Sequence, residues 1–330
     1  MLCPFCLTVG SIEQAKPEHG SGAGYRCKHC AEQIPALYVQ GYRQYPPVVV
    51  SAVGFRAHGK TVYFGSLFYA LKKLKLGKHW KEFFTMGLNE ESLDTVRDNV
   101  GMLEQGRLPD ANPKNFPRPT IVRVSGVPFQ HDATLLFYDT GGECFERPTQ
   151  LIQYAQFVKQ ARTAMFLVSV SNMDDPTLEM QRLLETYVSG MGELGGRTQD
   201  QHLVVVFTKA DQMHQRLAGW DGLAGYLRQG SVDGLARPES YMPRLRRISS
   251  DLRQFARNEL GAYEFENAAR KSFRSVHYTM VSALGAQPSG DQLSVEITPR
   301  RVLDPLMFLM EKSLPPWRQA ARRLLWSTLV

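Results

Sequence analysis

Val48-Val49-Val50-Ser51-Ala52-Val53 runs without interruption into Gly54-Phe55-Arg56-Ala57-His58-Gly59-Lys60-Thr61, and beyond it Phe64, Leu67, Phe68, Leu71 and Leu74 recur at helical spacing. A continuous short apolar run suits a strand buried on both faces of a parallel sheet. The stretch after it fits G-x-x-x-x-G-K-[ST], a loop whose backbone N–H groups cradle phosphates where the next helix begins. Strand, glycine loop and amphipathic helix in that order predict an α/β domain with a phosphate site between the strand and the start of the helix.

Working outward, apolar runs predict further strands at Ile121–Val124, Leu135–Tyr138, Ala164–Val170, His202–Phe207 and Val276–Val281. Helical spacing predicts helices near Leu151–Arg162, Thr177–Met191 and Pro305–Lys312. This alternation implies a mostly parallel sheet covered by helices on both faces. Asp139-Thr140-Gly141-Gly142 follows one predicted strand and Thr208-Lys209-Ala210-Asp211 another, so both motifs fall at carboxyl strand ends, where open α/β sheets bind ligands. Two longer stretches, Gly77 to Pro119 and Asp211 to Ser282, the second with helical pattern over Met242–Leu260, read as insertions of the kind that build partner specificity.

The chain has 330 residues, 43% hydrophobic and 22% charged, a globular composition with room for a main core and small appendages. No apolar run approaches the roughly 20 residues of a bilayer-spanning helix, and the amino terminus lacks a basic-then-apolar leader pattern, so a cytoplasmic location is expected. The net charge of +7 is spread over clusters: Lys72, Lys73, Lys75, Lys78 and Lys81; Arg244, Arg246 and Arg247; Arg318, Arg322 and Arg323. Few aromatics interleave with these clusters, so they read as solvated faces before they read as a nucleic-acid footprint.

Cys3-Pro4-Phe5-Cys6 and Cys27-Lys28-His29-Cys30 match the paired C-x-x-C spacing of a tetrahedral zinc site. Four thiolates leave no coordination position for a reacting water, so Cys3, Cys6, Cys27 and Cys30 are expected to hold a structural zinc ion in a ribbon over residues 1–45. Tyr25, Ile34 and Leu37 would supply its apolar contacts.

Taken together, the glycine loop, the D-x-x-G segment and T-K-x-D resemble the P-loop GTPases of the translation-factor and Ras-like class, with a fifth region at Ser282-Ala283-Leu284. The resemblance implies a P-loop NTPase three-layer α/β fold over residues 46–314, with GTP or GDP and Mg²⁺ as ligands. It implies that Gly54, His58, Gly59, Lys60 and Thr61 form the phosphate loop, with Lys60 on the β- and γ-phosphates. Thr61 and Asp139 would attend to Mg²⁺, the Gly142 amide to the γ-phosphate, and Thr208, Lys209, Asp211, Ser282 and Ala283 to guanine. Thr120 is the candidate for the threonine that closes over Mg²⁺. Glu143 stands where Ras-like enzymes generally carry glutamine, and Arg56 where they often carry glycine. A carboxylate accepts from water but adds negative charge near a negative transition state, so slow or partner-assisted hydrolysis is expected. Arg56 either reaches the γ-phosphate or points to solvent. Cys144, next to Glu143, reads as an unpaired thiol, with an oxidisable second switch as the alternative.

Asp304 suits an N-cap and Pro305 a first helical position, so a last apolar helix should start there. Pro315-Pro316 follows, and residues 315–330 pattern as a basic amphipathic helix. The zinc ribbon, the D-x-x-G-E segment and the late helix are also similar to bacterial double-GTPase proteins of multi-gene conflict systems. The functional expectation is a regulatory GTP switch read by an unidentified protein partner. A GTP-bound scaffold with negligible turnover and an RNA-associated GTPase are the alternatives.

Overall fold

The structure is a computed structural model that describes residues 1–15, 24–110, 114–172, 175–229, 235, 237–290, 292–293 and 296–313. The expected carboxy-terminal helix at 315–330 lies outside the described residues.

The amino-terminal segment forms a small antiparallel sheet, β1 (Ile12–Gln14), β2 (Tyr25–Cys27) and β3 (Gln33–Ile34), followed by helix α1 (Ala36–Gln40). Both C-x-x-C turns close alike. The residue after each second cysteine, Leu7 or Ala31, takes a left-handed φ of 61° and bonds its amide back to the carbonyl of Cys3 or Cys27.

The main sheet starts with β4 (Pro47–Val53), which runs through the glycine loop into α2 (Lys60–Lys73). Then come β5 (Phe84–Gly87), α3 (Glu90–Glu104), β6 (Thr120–Ser125), β7 (Ala133–Tyr138), α4 (Pro148–Tyr154), β8 (Thr163–Val168) and α5 (Pro176–Glu193). The chain finishes with β9 (His202–Phe207), α6 (Asp221–Arg228), α7 (Pro238–Asn258), α8 (Tyr263–Ser272), β10 (Ser275–Met280) and α9 (Asp304–Ser313). The strand order is β10-β9-β8-β4-β7-β6-β5, parallel from β10 to β7 and antiparallel at β6 and β5.

Every residue of β7, β8 and β9 is buried, as expected for strands covered on both faces. One face packs Val49, Val53, Phe166 and Val205 against Leu151 of α4, Leu183 of α5 and Phe265 of α8. The other packs Val50, Ala52, Leu135 and Val204 against Phe64 and Leu67 of α2 and Phe308 of α9. The first of these cores also takes in Cys3, Phe5, Leu7, Ile34 and Tyr38, so the ribbon is built onto the sheet's helical layer. Among the described residues no helix is long and apolar enough to cross a membrane.

Four expectations shift. The helix expected over Leu151–Arg162 is α4 followed by a 3-10 turn at Gln156–Gln160, broken at Ala155, whose φ of −127° leaves the helical region. Strand β5 escapes prediction because it is short and pairs on one side only. Asp304 does not sit outside the last helix as a cap. It is the first residue of α9, and its buried carboxylate accepts from Tyr226 Oη at 2.7 Å, Tyr241 Oη and Arg301 Nε at 3.2 Å. Leu37, expected in the ribbon core, is 43% exposed, and Tyr38 takes the buried place instead.

Candidate functional site

The glycine loop spans the carboxyl end of β4 and the amino end of α2, so the free amides of the helix face the same space as the loop. Gly54 is confined by Leu167 O, which a Cβ would approach to 2.7 Å, and Gly59 caps α2 with φ +79°. Lys60 is buried and donates to Gly54 O at 2.8 Å and Phe55 O at 3.1 Å. Burial lowers its ammonium to about 8 against the opposing pull of Asp139 and Glu143. The His58 ring is packed away from this space, with Nδ1 2.9 Å from Leu167 O and Nε2 3.3 Å from Glu179. Burial brings that imidazole down to about 4. Thr208 donates its hydroxyl to His58 O at 3.0 Å and thereby ties the T-K-x-D segment to the loop.

At one end lies a cavity of about 280 Å³ whose walls include Ala57 and Gly59 of the loop, Thr208, Lys209 and Asp211 after β9, and Ala283 after β10. Strands β9 and β10 pair in register to Phe207↔Met280, which puts the following residues side by side. Ser282 Oγ donates to Asp211 Oδ1 at 2.5 Å and accepts from Gly285 N at 3.0 Å, which fixes the carboxylate. Ser66 Oγ holds Ala283 O at 2.7 Å. Lys209 takes a left-handed φ of 53°. Its burial lowers the ammonium, opposed by Asp211.

On the other side, Thr61, Thr120 and Asp139 line a second cavity of about 420 Å³, bounded also by Phe137 and by Asp98 and Asn99 of α3. Three residues from α2, the start of β6 and the end of β7 thus converge. Gly142 lies against the glycine loop so closely that a Cβ would stand 2.2 Å from Arg56 N and 2.4 Å from Phe55 C. Arg56 points to solvent, 85% exposed, with Nε 3.8 Å from Glu143 Oε1. Cys144 is in no disulfide, in line with the reading as an unpaired thiol; it is fully buried 3.2 Å from Thr140 Oγ1 and burial raises it, which disfavours the alternative of an oxidisable site.

The four cysteine sulfurs lie within 4.8 Å of one another, with Cys3–Cys30 at 3.8 Å and Cys6–Cys27 at 3.6 Å. Tetrahedral zinc with Zn–S of about 2.3 Å needs sulfurs about 3.8 Å apart, so the set fits such an ion. None of the cysteines is in a disulfide. Burial raises the Cys3 and Cys30 thiols; at Cys27 the Ser11 hydroxyl and the Cys30 and His29 amides outweigh burial and bring it to about 6.

Sequence reasoning missed residues that tie the ribbon to these loops. Arg118 donates to both oxygens of Glu32, 2.8 and 3.2 Å, and to Glu91 at 3.1 Å. Tyr138 Oη donates to Pro4 O. Nearness to Thr120 and Asp139 was the only signal for either, since their partners lie 86 and 134 residues away.

Compared with known proteins, the sequence matches no family model and no curated protein. Among solved structures it is similar to the GTPase-like domain of S. cerevisiae Ski7, in one structure bound to GDP and inorganic phosphate and in another bound to GTP. Identities are 14% and 15%, and the TM-score is 0.35 in both. The alignments cover 83% of this chain and 51% of that one, so the chain spans about half the length of the structures it matches.

Proposed function

We propose that the chain is a guanine-nucleotide-binding switch that hydrolyses GTP slowly or with assistance, and whose loops report the nucleotide state to a protein partner. One observation carries this reading: Lys209, Asp211 and Ala283 share a cavity with Ala57 and Gly59, so the base reader and the phosphate cradle face one space. In it, Asp211 accepts from the N1 and N2 groups of guanine while Lys209 lies along the base. Adenine lacks the exocyclic donor at that edge and would leave the carboxylate unpaired, which disfavours ATP.

Toward the phosphates, the loop amides and Lys60 offset negative charge, and the Gly142 amide senses the γ-phosphate. Thr61, Asp139 and Thr120 are the residues to hold Mg²⁺, whose charge would support phosphate binding and transfer. The zinc ribbon and helical insertions would serve as partner surfaces, and the resemblance to double-GTPase proteins belongs to the same proposal. The Arg56–Glu143 contact favours a second reading, a GTP-bound scaffold, because it gives the carboxylate a partner other than an attacking water.

A thermal-shift comparison of GTP, GDP, a non-hydrolysable GTP analogue and ATP, each with Mg²⁺, tests the base assignment. Guanine nucleotides at about 100 times their Kd should stabilise by about 2.7 kcal/mol, and ATP should not. Equal stabilisation by ATP overturns it. Single-turnover hydrolysis then separates switch from scaffold.

A further inference from the structure

The loop before Thr120 and the strand before Asp139 both end on the zinc knuckles. Thr140 Oγ1 donates to Asn115 O at 3.2 Å, and Phe116 meets Tyr138 and Phe157 edge-on. Arg118 then reaches the ribbon: it grips both oxygens of Glu32, bonds Glu91 of α3, and sets its guanidinium 4.9 Å above the Phe5 ring. Phe5 lies inside the first C-x-x-C turn, and Glu32 lies just past the second. On the other strand, Tyr138 donates to Pro4 O of the first turn and stacks on Phe157 at 4.8 Å. Asp139 is its next residue.

The positions of Pro4, Phe5 and Glu32 are set by how the four sulfurs converge. A forked guanidinium on a carboxylate fixes direction as well as distance, which a point charge would not. We propose that the zinc ribbon is a built-in docking partner for the Thr120 loop, with Arg118 as the positioning residue. Zinc in the knuckles and Mg²⁺–triphosphate at the nucleotide site then hold each other in place. This inference rests on the nucleotide reading above and goes beyond it by naming what the triphosphate-sensing loop docks on. By thermodynamic reciprocity, whatever the ribbon does for triphosphate affinity, triphosphate does for zinc retention. Arg118 and Glu32 are half-exposed, so the coupling weakens as salt rises.

The experiment uses the full chain loaded with zinc. Zinc release to a chromogenic chelator is followed without nucleotide, with GDP–Mg²⁺ and with a non-hydrolysable GTP analogue–Mg²⁺. The ratio of analogue to GDP affinity is measured alongside for the native chain, Arg118→Ala and Glu32→Gln. At equilibrium with the chelator, the analogue should raise zinc affinity, and so lower the zinc released, by about fivefold in binding constant relative to GDP. Arg118→Ala should lower the affinity ratio by a similar factor and erase the difference in release. Glu32→Gln, which keeps the shape of the ribbon side, should do so in part while leaving GDP affinity unchanged. A merely structural role would instead weaken both nucleotides equally. Equal zinc release in all states by a chain that binds the analogue, or an unchanged affinity ratio in both variants, overturns the inference. Failure of the native, zinc-containing chain to bind any guanine nucleotide overturns the underlying nucleotide reading instead.

Discussion

The two ends of the candidate nucleotide site are held by different means. At the base end, Asp211 and Ser282 lie just past neighbouring parallel strands, and the hydrogen bond between them follows from the register of β9 and β10. At the metal end, Thr120 opens an antiparallel strand, and the loop before it depends on partners far off in sequence, Glu32 in the ribbon and Phe157 beyond β7. A site made of sheet is rigid whatever it binds. A site completed by a docked loop has a part that can respond to its ligand. The base end should therefore set which nucleotide binds, and the metal end should distinguish triphosphate from diphosphate.

The largest effect should come from Asp211→Ala. It removes the proposed guanine acceptor and the partner of Ser282 Oγ, so GTP and GDP affinities should fall alike by at least about 100-fold in calorimetry. A loss confined to the triphosphate would break the division between the two ends. Gly142→Ala should act oppositely. Its methyl cannot share space with Arg56 N, so the Gly142 segment must draw back from the glycine loop or push it, and analogue affinity should drop about 30-fold with a smaller loss for GDP. Equal losses would place Gly142 in the general support of the loop. Thr120→Val, nearly isosteric, should weaken the analogue about tenfold at limiting Mg²⁺ and leave GDP alone. An analogue affinity that ignores Mg²⁺ in both proteins would remove Thr120 from the metal end.

How much of this was legible in the sequence follows the same division. Strand β9 was read to its ends, and the β4 core was recovered, because strands buried on both faces are continuous apolar runs bounded by polar motifs. The meeting of Thr208, Lys209 and Asp211 with Ser282 and Ala283 was legible for the same reason, since these residues come within a few positions of strand ends. What stayed hidden depends on tertiary distance. Nothing about Arg118 distinguishes it locally from other arginines on a polar loop until the fold brings Glu32 to it. Asp304 shows the same limit: its neighbours favour a cap, but Tyr226 and Tyr241 draw it into the interior. Even within a recognised motif, local reading gives residue type and not direction, and His58 turns its ring away from the site.

Proton linkage at Lys60 tests whether the phosphate side is a charge site at all. Its free ammonium loses its proton near pH 8, and a bound phosphate would raise that value. The charged form is the one that binds, so affinity for GTP and GDP should be flat below about pH 7 and fall about threefold between pH 7.5 and 8.5. Proton uptake on binding should appear over the same range in buffers of differing ionisation heat. A flat profile to pH 9 would mean that Lys60 keeps its proton without the nucleotide.

The smallest effect expected is at Arg56 and Glu143, where the two ends of the comparison meet chemistry. The Arg56 side chain is almost fully in water, so its attraction to Glu143 is screened and each change alone should alter single-turnover hydrolysis only about twofold to threefold. The direction is informative. Glu143→Gln removes negative charge beside a negative transition state and should speed the reaction. Arg56→Ala removes one of the cations near Glu143, leaving Lys60, and should slow it. If Arg56 acts only by offsetting that carboxylate, its removal should have no effect in the Glu143→Gln background, a non-additivity that a double-mutant cycle reads directly. If Arg56 contacts the terminal phosphate itself, the two effects should add, and the arginine would then belong to the reacting centre and not to the control of its neighbour.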